Sequence, residues 1–110
     1  MEVFMGINYT DTSMVLKAIS DPKRLRIVDM LSCGELCATE IQSAFDVGQS
    51  TISHDMKILM DAEIVKDRKR GKYTCYSLNE ELLASTMGSM QEIFSSGAGC
   101  ICETIKPIRK

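Results

Sequence analysis

The sequence predicts a small, mainly α-helical domain that carries one two-stranded β-hairpin. Apolar residues recur at helical spacing through most of residues 11–62 and again after residue 79. The pattern breaks at residues 46–48, between two helical segments, and two strand-forming segments later flank a turn at Gly71. A helix pair joined by a tight turn and followed by a hairpin is a winged helix-turn-helix, here with four helices, a two-stranded wing and a fifth helix.

The first two helices are predicted over residues 11–20 and from Pro22 to about residue 32. Asp21 can cap the second helix, and proline is favoured at the first helical position after a cap. Gly34 is typical of the position just beyond a helix end. The residues expected to face the core are Met14, Val15, Ala18 and Ile19 in the first helix and Leu25, Ile27, Val28 and Leu31 in the second.

A helix-turn-helix pair is predicted over residues 38–45 and from Gln49 to about residue 62. The turn between the two helices contains Gly48, which suits a sharp reversal. The first helix of the pair should bury Ile41 and Phe45. The positions of the second helix that must face the core, by their spacing, are Ile52, Met56, Leu59 and Met60.

The wing and the last helix complete the domain. Two strands are predicted over residues 65–68 and 73–78, and the last helix should open at Asn79, an N-cap residue followed by two acids. The apolar stripe of this helix is Leu83, Met87, Met90 and Phe94. Because little chain remains to cover a terminal helix, we expect this stripe and the first helix to form a homodimer interface. The alternative is a stripe that packs wholly within its own core.

Methionine is frequent, with eight in the chain, which raises the question of a soft-metal site. Six of them fall on helical apolar positions and are expected to fill the core: Met14, Met30, Met56, Met60, Met87 and Met90.

The charge pattern predicts local contact with a polyanion. The net charge is −2 and the pI is near 5.4, yet five of the seven residues 66–72 are basic. Beside them, the polar face of the second helix of the pair resembles a surface that contacts DNA. The residues expected at base edges are Gln49, Ser50, Thr51, Ser53 and His54, and those expected at phosphates are Lys57, Arg68, Lys69, Arg70 and Lys72. Alternatively, the hairpin charges only protect a sheet edge, and His54 could be a metal ligand or simply solvated.

Length and motif content favour one binding domain over an enzyme. We expect a domain over residues 10–96, between a flexible N-terminus (1–9) and a tail (97–110). Residues 1–9 have neither a basic start nor a long apolar run, so we expect a cytoplasmic protein without a membrane partner. The sequence shows no glycine-rich phosphate loop, paired-carboxylate motif or Cys-His nucleophile, which argues against catalysis.

The chain resembles the ArsR/SmtB-type winged-helix repressors over about residues 14–95. The resemblance rests on residues 16–27, residues 34–37, residues 49–54 with Leu59, and Arg70-Gly71-Lys72 before Tyr76. It implies a dimeric repressor that binds double-stranded operator DNA and that an inducer releases. In that family the helix that begins here near Ser50 lies in the major groove, and the hairpin is the wing.

The resemblance also extends to the cysteines, of which there are five. Residues 34–40 are similar to the family's Glu-Leu-Cys-Val-Cys-Asp metal box: Cys37 matches the first cysteine of the box, but Thr39 occupies the second position. The family's zinc site in the terminal helix needs histidines, and the predicted last helix has none.

Cys100 and Cys102 could supply the missing ligands. In an extended segment, residues two positions apart share a face, and the nearby Gly97 and Gly99 make an extended segment plausible. With Cys37 as the third thiolate, the set suits arsenite or antimonite, or a soft divalent ion such as cadmium or lead, as inducer and not as an obligatory cofactor. Alternatively, the tail cysteines are incidental or form a terminal disulfide.

We expect different roles for the two other cysteines, Cys75 and Cys33. Cys75 alternates with aromatic residues in a predicted strand and is expected to pack in the core. Cys33 could substitute for the thiolate that is missing at Thr39 only if Gly34 turns its sulfur toward the same space.

Two further functions remain open. One is a repressor that responds to dithiol oxidation or reactive sulfur. Family members of that kind carry their cysteines where this chain has Asp29 and Ser95. The other is a winged-helix module that binds a protein and has no ion effector.

Overall fold

The computed structural model describes residues 7–95, and they form the predicted winged helix-turn-helix with one added strand. The elements are α1 (Tyr9–Ala18), α2 (Pro22–Leu31), β1 (Leu36–Cys37), α3 (Ala38–Ser43), α4 (Gln49–Asp61), β2 (Val65–Arg70), β3 (Tyr73–Leu78) and α5 (Glu80–Phe94). The predicted order of four helices, wing and fifth helix is confirmed. None of the helices within residues 7–95 is long and apolar enough to cross a membrane.

Side-chain caps fix where three of the helices begin. The Asp21 carboxylate accepts hydrogen bonds from the backbone N–H groups of Lys23 and Arg24, and Pro22 stands at the first helical position, as predicted. The Asn79 side chain caps α5 in the same way. At α1 the cap is Asn8, so this helix begins at Tyr9, two residues before the predicted start at residue 11.

The sheet has three antiparallel strands in the order β1-β3-β2. The sequence predicted only the two wing strands, because a strand of two residues is too short to show an alternating pattern. Opposite Arg70 lies Tyr73, which leaves Gly71 and Lys72 as the two-residue turn of the hairpin. Gly71 has a φ of +63°, a left-handed conformation that glycine adopts without steric cost.

The core lies between the helices and the sheet and matches most of the predicted apolar positions. Its fully or nearly fully buried members are Val15, Ala18, Ile27, Leu31, Ile41, Ile52, Met56, Leu59, Ile64 and Val65. The predicted burial of Leu25 is wrong, because that side chain is 52% exposed. Residues two apart on a helix point in nearly opposite directions, so Leu25 and the fully buried Ile27 cannot both face the core.

Two of the methionines predicted to fill the core are also exposed. Met14 is 54% exposed on α1 and Met87 is 66% exposed on α5. Met56 alone of the six is nearly fully buried, while Met30, Met60 and Met90 are half-buried. The two exposed methionines lie on α1 and α5, helices that pack against each other.

Candidate DNA interface and cysteine pair

Helix α4 presents a polar face to solvent and an apolar face to the core. Ile52, Met56 and Leu59 are buried, as their spacing predicted. All six residues of this helix that the sequence assigned to DNA are exposed: Gln49, Ser50, Thr51, Ser53, His54 and Lys57. The predicted surface is therefore accessible along its whole length.

Helices α2 and α3 both pack against α4. Ile41 of α3 has no exposed surface, and Phe45 packs against the same core. The Arg26 guanidinium lies 5.0 Å from the centre of the Phe45 ring, a cation–π contact that links α2 to the end of α3. The Gln42 side-chain amide donates a hydrogen bond to the Val47 carbonyl and closes the turn that leads into α4.

A buried ion cluster joins α4 to the N-terminus of α2. Asp55 is 2% exposed, and its carboxylate oxygens lie 2.6 Å from Lys23 Nζ and 3.2 Å from Arg24 Nη1. Arg24 Nε also donates to the Ala18 carbonyl at 2.6 Å. Sequence reasoning found no role for Asp55, because its partners lie on another helix about thirty residues earlier. The cluster fixes the angle at which α4 meets α2.

The wing carries four of the five residues predicted to contact phosphates, and all four are exposed: Arg68, Lys69, Arg70 and Lys72. Lys69 Nζ lies 3.1 Å from Thr74 Oγ1 across the hairpin, and Lys72 Nζ lies 5.6 Å from the Tyr73 ring centre. The buried Ile64 and Val65 anchor the base of the wing next to α4. The polar helix face and the basic hairpin thus belong to one packed unit.

Glu35 forms ion pairs with two of these wing residues, a contact that the sequence did not predict. Glu35 accepts hydrogen bonds from Arg68 Nε at 2.6 Å and Arg68 Nη2 at 3.0 Å, and Arg70 Nη1 lies 3.5 Å away. The hydrogen bond from Arg68 lowers the pKa of Glu35, and the same contact raises the pKa of Arg68. Glu35 immediately precedes β1, so the missed strand is the reason that this contact was missed as well.

The structure joins Cys37 to Cys75 in a disulfide. The two residues lie directly opposite each other, Cys37 in β1 and Cys75 in β3. Cys75 has no exposed surface, which confirms its predicted burial, whereas its bond to Cys37 was not predicted. Cys33 is exposed and free.

The predicted soft-ion site can be compared with the structure at only one ligand. Cys37 lies within residues 7–95, whereas Cys100 and Cys102 lie outside them. Within the described range, no group of three or more histidine, cysteine or acidic residues could hold a metal ion. A site that used Cys37 would need further ligands from outside the described residues and would need Cys37 as a free thiolate.

Comparison with known proteins matches the helix-turn-helix region to one family. A model described as bacterial regulatory protein, arsR family, matches residues 21–67, which run from the cap of α2 into β2. An arsenical resistance operon repressor from Staphylococcus xylosus is 44% identical over 100 residues, covering 91% of this chain and 96% of that protein. Its counterpart from Staphylococcus aureus is 41% identical with the same coverage.

Solved structures share the fold. A crystal structure described as a "possible transcriptional regulator for arsenical resistance" superimposes with a TM-score of 0.67 at 27% sequence identity. The superposition covers 74% of this chain and 84% of the other.

Proposed function

Because this chain belongs to the arsR family, whose members are DNA-binding transcriptional regulators and not enzymes, we propose that it is a dimeric repressor released from its operator by a thiophilic ion. Arsenite is the ion that we favour. The observation that carries the DNA-binding part is the exposed polar face of α4 beside the basic wing. We expect the protein to act in the cytoplasm.

We assign different tasks to the helix and the wing. Base edges in the major groove can be distinguished by short polar side chains, which α4 presents from Gln49 to His54. The wing arginines and lysines supply phosphate contacts, which add affinity without sequence information. A protein-binding module could expose the same surface, so footprinting on the promoter of the chain's own operon separates the two functions: a protected site supports the repressor.

The wing prediction concerns affinity and salt dependence. Replacing Arg70 and Lys72 together with alanine should weaken binding to all DNA sequences and reduce the slope of log K against log salt by about one unit per lost phosphate contact. Binding is measured by fluorescence anisotropy over a salt series, with operator and scrambled duplexes.

The control is Lys17→Ala, which removes one positive charge from α1, outside the proposed DNA interface, and which is first checked by sedimentation velocity to be a dimer. It should leave both the affinity and the slope unchanged. If the double wing variant binds DNA with the affinity and slope of the native protein, the wing does not contact phosphate.

Dimerisation is proposed from an apolar surface on α1 and α5. Four large apolar side chains on these packed helices are mostly exposed: Tyr9 at 61%, Met14 at 54%, Met87 at 66% and Phe94 at 78%. A surface of this kind favours burial against a second copy. A two-fold dimer would place two α4 helices on similar half-sites, so we expect the operator to be an imperfect inverted repeat.

The inducer site is proposed to combine Cys37 with Cys100 and Cys102. Thiolate ligands select soft ions, and two relatives are named as arsenical resistance repressors. Antimonite, cadmium and lead share this preference and are the alternatives. Cys37 is the N-cap of α3, and its backbone N–H donates to Glu40 Oε1 at 2.7 Å. An ion held there would act on the helix that supports α4.

Replacing both Cys100 and Cys102 with serine should abolish release of the operator by arsenite under reducing conditions. The native protein should be released, because an inducer that favours a DNA-incompetent state shifts affinity by about 1–3 kcal/mol. Anisotropy of a labelled operator, titrated with arsenite, measures the effect. The control is Cys33→Ser, since Cys33 is exposed and unpaired. A tail variant that responds at the native arsenite concentration would rule out the proposed ligands.

A further inference from the structure

The register of the sheet places Cys37 and Cys75 where they can form a disulfide. They are register partners in the β1–β3 ladder, and their Cα atoms are 3.8 Å apart. Two cysteines can be bridged without backbone movement only when their Cα atoms lie within about 7 Å of each other. The strand pairing satisfies this condition, because it sets the two residues directly opposite each other.

The two cysteine residues differ in access to solvent. Cys75 has no exposed surface, whereas Cys37 is half-buried and lines an open hollow of about 700 Å³. Thr39, Glu40, Arg70 and Tyr73 form the rest of its wall, together with Gly71. A small molecule in this hollow can therefore reach Cys37 but not Cys75.

We propose that Cys37 and Cys75 form a redox modification site at which a low-molecular-weight disulfide converts the paired thiols into the cross-strand disulfide. The site excludes the soft ion when oxidised, a consequence that rests on the proposed function because it requires Cys37 as an ion ligand. The Cys37 thiolate attacks one sulfur of the small disulfide, forms a mixed disulfide and releases one small thiolate.

The Cys75 thiolate then attacks the Cys37 sulfur and displaces the second small thiolate. The two protein thiols lose two electrons and two protons in total. The small disulfide gains both electrons and becomes two thiols, which take up the protons. Cys37 is the attacking residue and Cys75 the resolving residue, because only Cys37 borders the hollow.

Oxidation should leave DNA binding intact. The bond links two strands that are already paired in the sheet, so it does not require the wing or α4 to move. It does remove the Cys37 thiolate, which an ion would need. The oxidised repressor would therefore hold its operator and fail to respond to the inducer.

The first experiment measures the disulfide alone. The full chain is equilibrated with glutathione and glutathione disulfide at a series of ratios, quenched with acid, alkylated and mapped by mass spectrometry. We expect a Cys37–Cys75 linkage that forms and reverses with the ratio, in the native protein and equally in Cys33→Ser. In Cys75→Ala we expect the mixed disulfide with glutathione to accumulate on Cys37.

Two results would overturn the redox site. One is the absence of a Cys37–Cys75 linkage at every ratio in the native protein, a result that does not depend on whether any variant folds. The other is glutathione attached to Cys33 in place of Cys37 in a folded Cys75→Ala protein. Operator binding is measured on the same samples, and its loss on oxidation would overturn the prediction that DNA binding persists.

The second experiment tests exclusion between ion and disulfide. At an arsenite concentration ten times its Kd, exclusive binding should slow Cys37–Cys75 linkage about elevenfold. Cys100→Ser/Cys102→Ser should lose this protection. If the disulfide forms normally and arsenite gives no protection, Cys37 is not an ion ligand, and the proposed inducer site fails while the redox site stands.

Discussion

Replacing Asp55 with asparagine should lower the free energy of unfolding by about 3 kcal/mol, near the low end of the range for a broken buried ion pair. The asparagine keeps the shape of the side chain but removes the charge opposite Lys23 and Arg24. These two side chains are only 26% and 17% exposed, so water can replace the lost partner only in part. Two like charges would also remain close together without the carboxylate between them. Urea denaturation followed by circular dichroism measures the change.

A second aspartate on the same helix provides the control. Asp61 pairs with Lys57 at 3.4 Å, but both side chains are about 70% exposed. An exposed pair one helical turn apart contributes only about 0.5 kcal/mol or less, so Asp61→Asn should be nearly neutral. Equal destabilisation by the two substitutions would show that burial of Asp55 does not govern its contribution.

Charging the α5 stripe with Met87→Glu and Met90→Glu should yield monomers and abolish tight operator binding. A carboxylate in a closely packed apolar interface loses its hydration without gaining a partner. A monomer also contacts only one half-site, which removes the gain in affinity that comes from linking two sites. Sedimentation velocity measures assembly, and anisotropy on operator DNA measures binding.

The control for added charge is Ser85→Glu. Ser85 is exposed, and helical spacing places it with Glu81 and Glu92 on the side of α5 away from the stripe. This variant should remain a dimer and bind the operator normally. If the double methionine variant still sediments as a dimer, the interface lies elsewhere on the molecule.

The features that the sequence predicted correctly depend on periodicity within one element. The apolar spacing of α4 was sufficient to predict that Ile52, Met56 and Leu59 are buried, although it gave no sign that the charged Asp55 is buried as well. The same reasoning failed for Leu25, where two apolar positions compete for one helix face and sequence alone does not say which prevails. Exposed Met87 illustrates a second limit, because a stripe on a terminal helix has the same pattern whether it packs inside or outside the subunit.

The features that the sequence did not reveal depend on contacts between distant segments. Cys37 and Cys75 are separated by 38 residues and become neighbours only through the register of β1 and β3. Asp55 meets Lys23 and Arg24 only once α4 packs on α2. No local pattern encodes these pairings, since each requires the relative placement of two elements.

Glu35 has a consequence for how tightly the protein would bind any DNA sequence. Its carboxylate pairs with the guanidinium groups of Arg68 and Arg70, which we propose as phosphate contacts. A phosphate would have to displace this carboxylate, and the cost would be the same on operator and on random DNA. On the operator alone, the proposed base contacts of α4 would offset that cost. We therefore expect Glu35 to weaken binding to all DNA by a similar factor and to leave the preference for the operator unchanged.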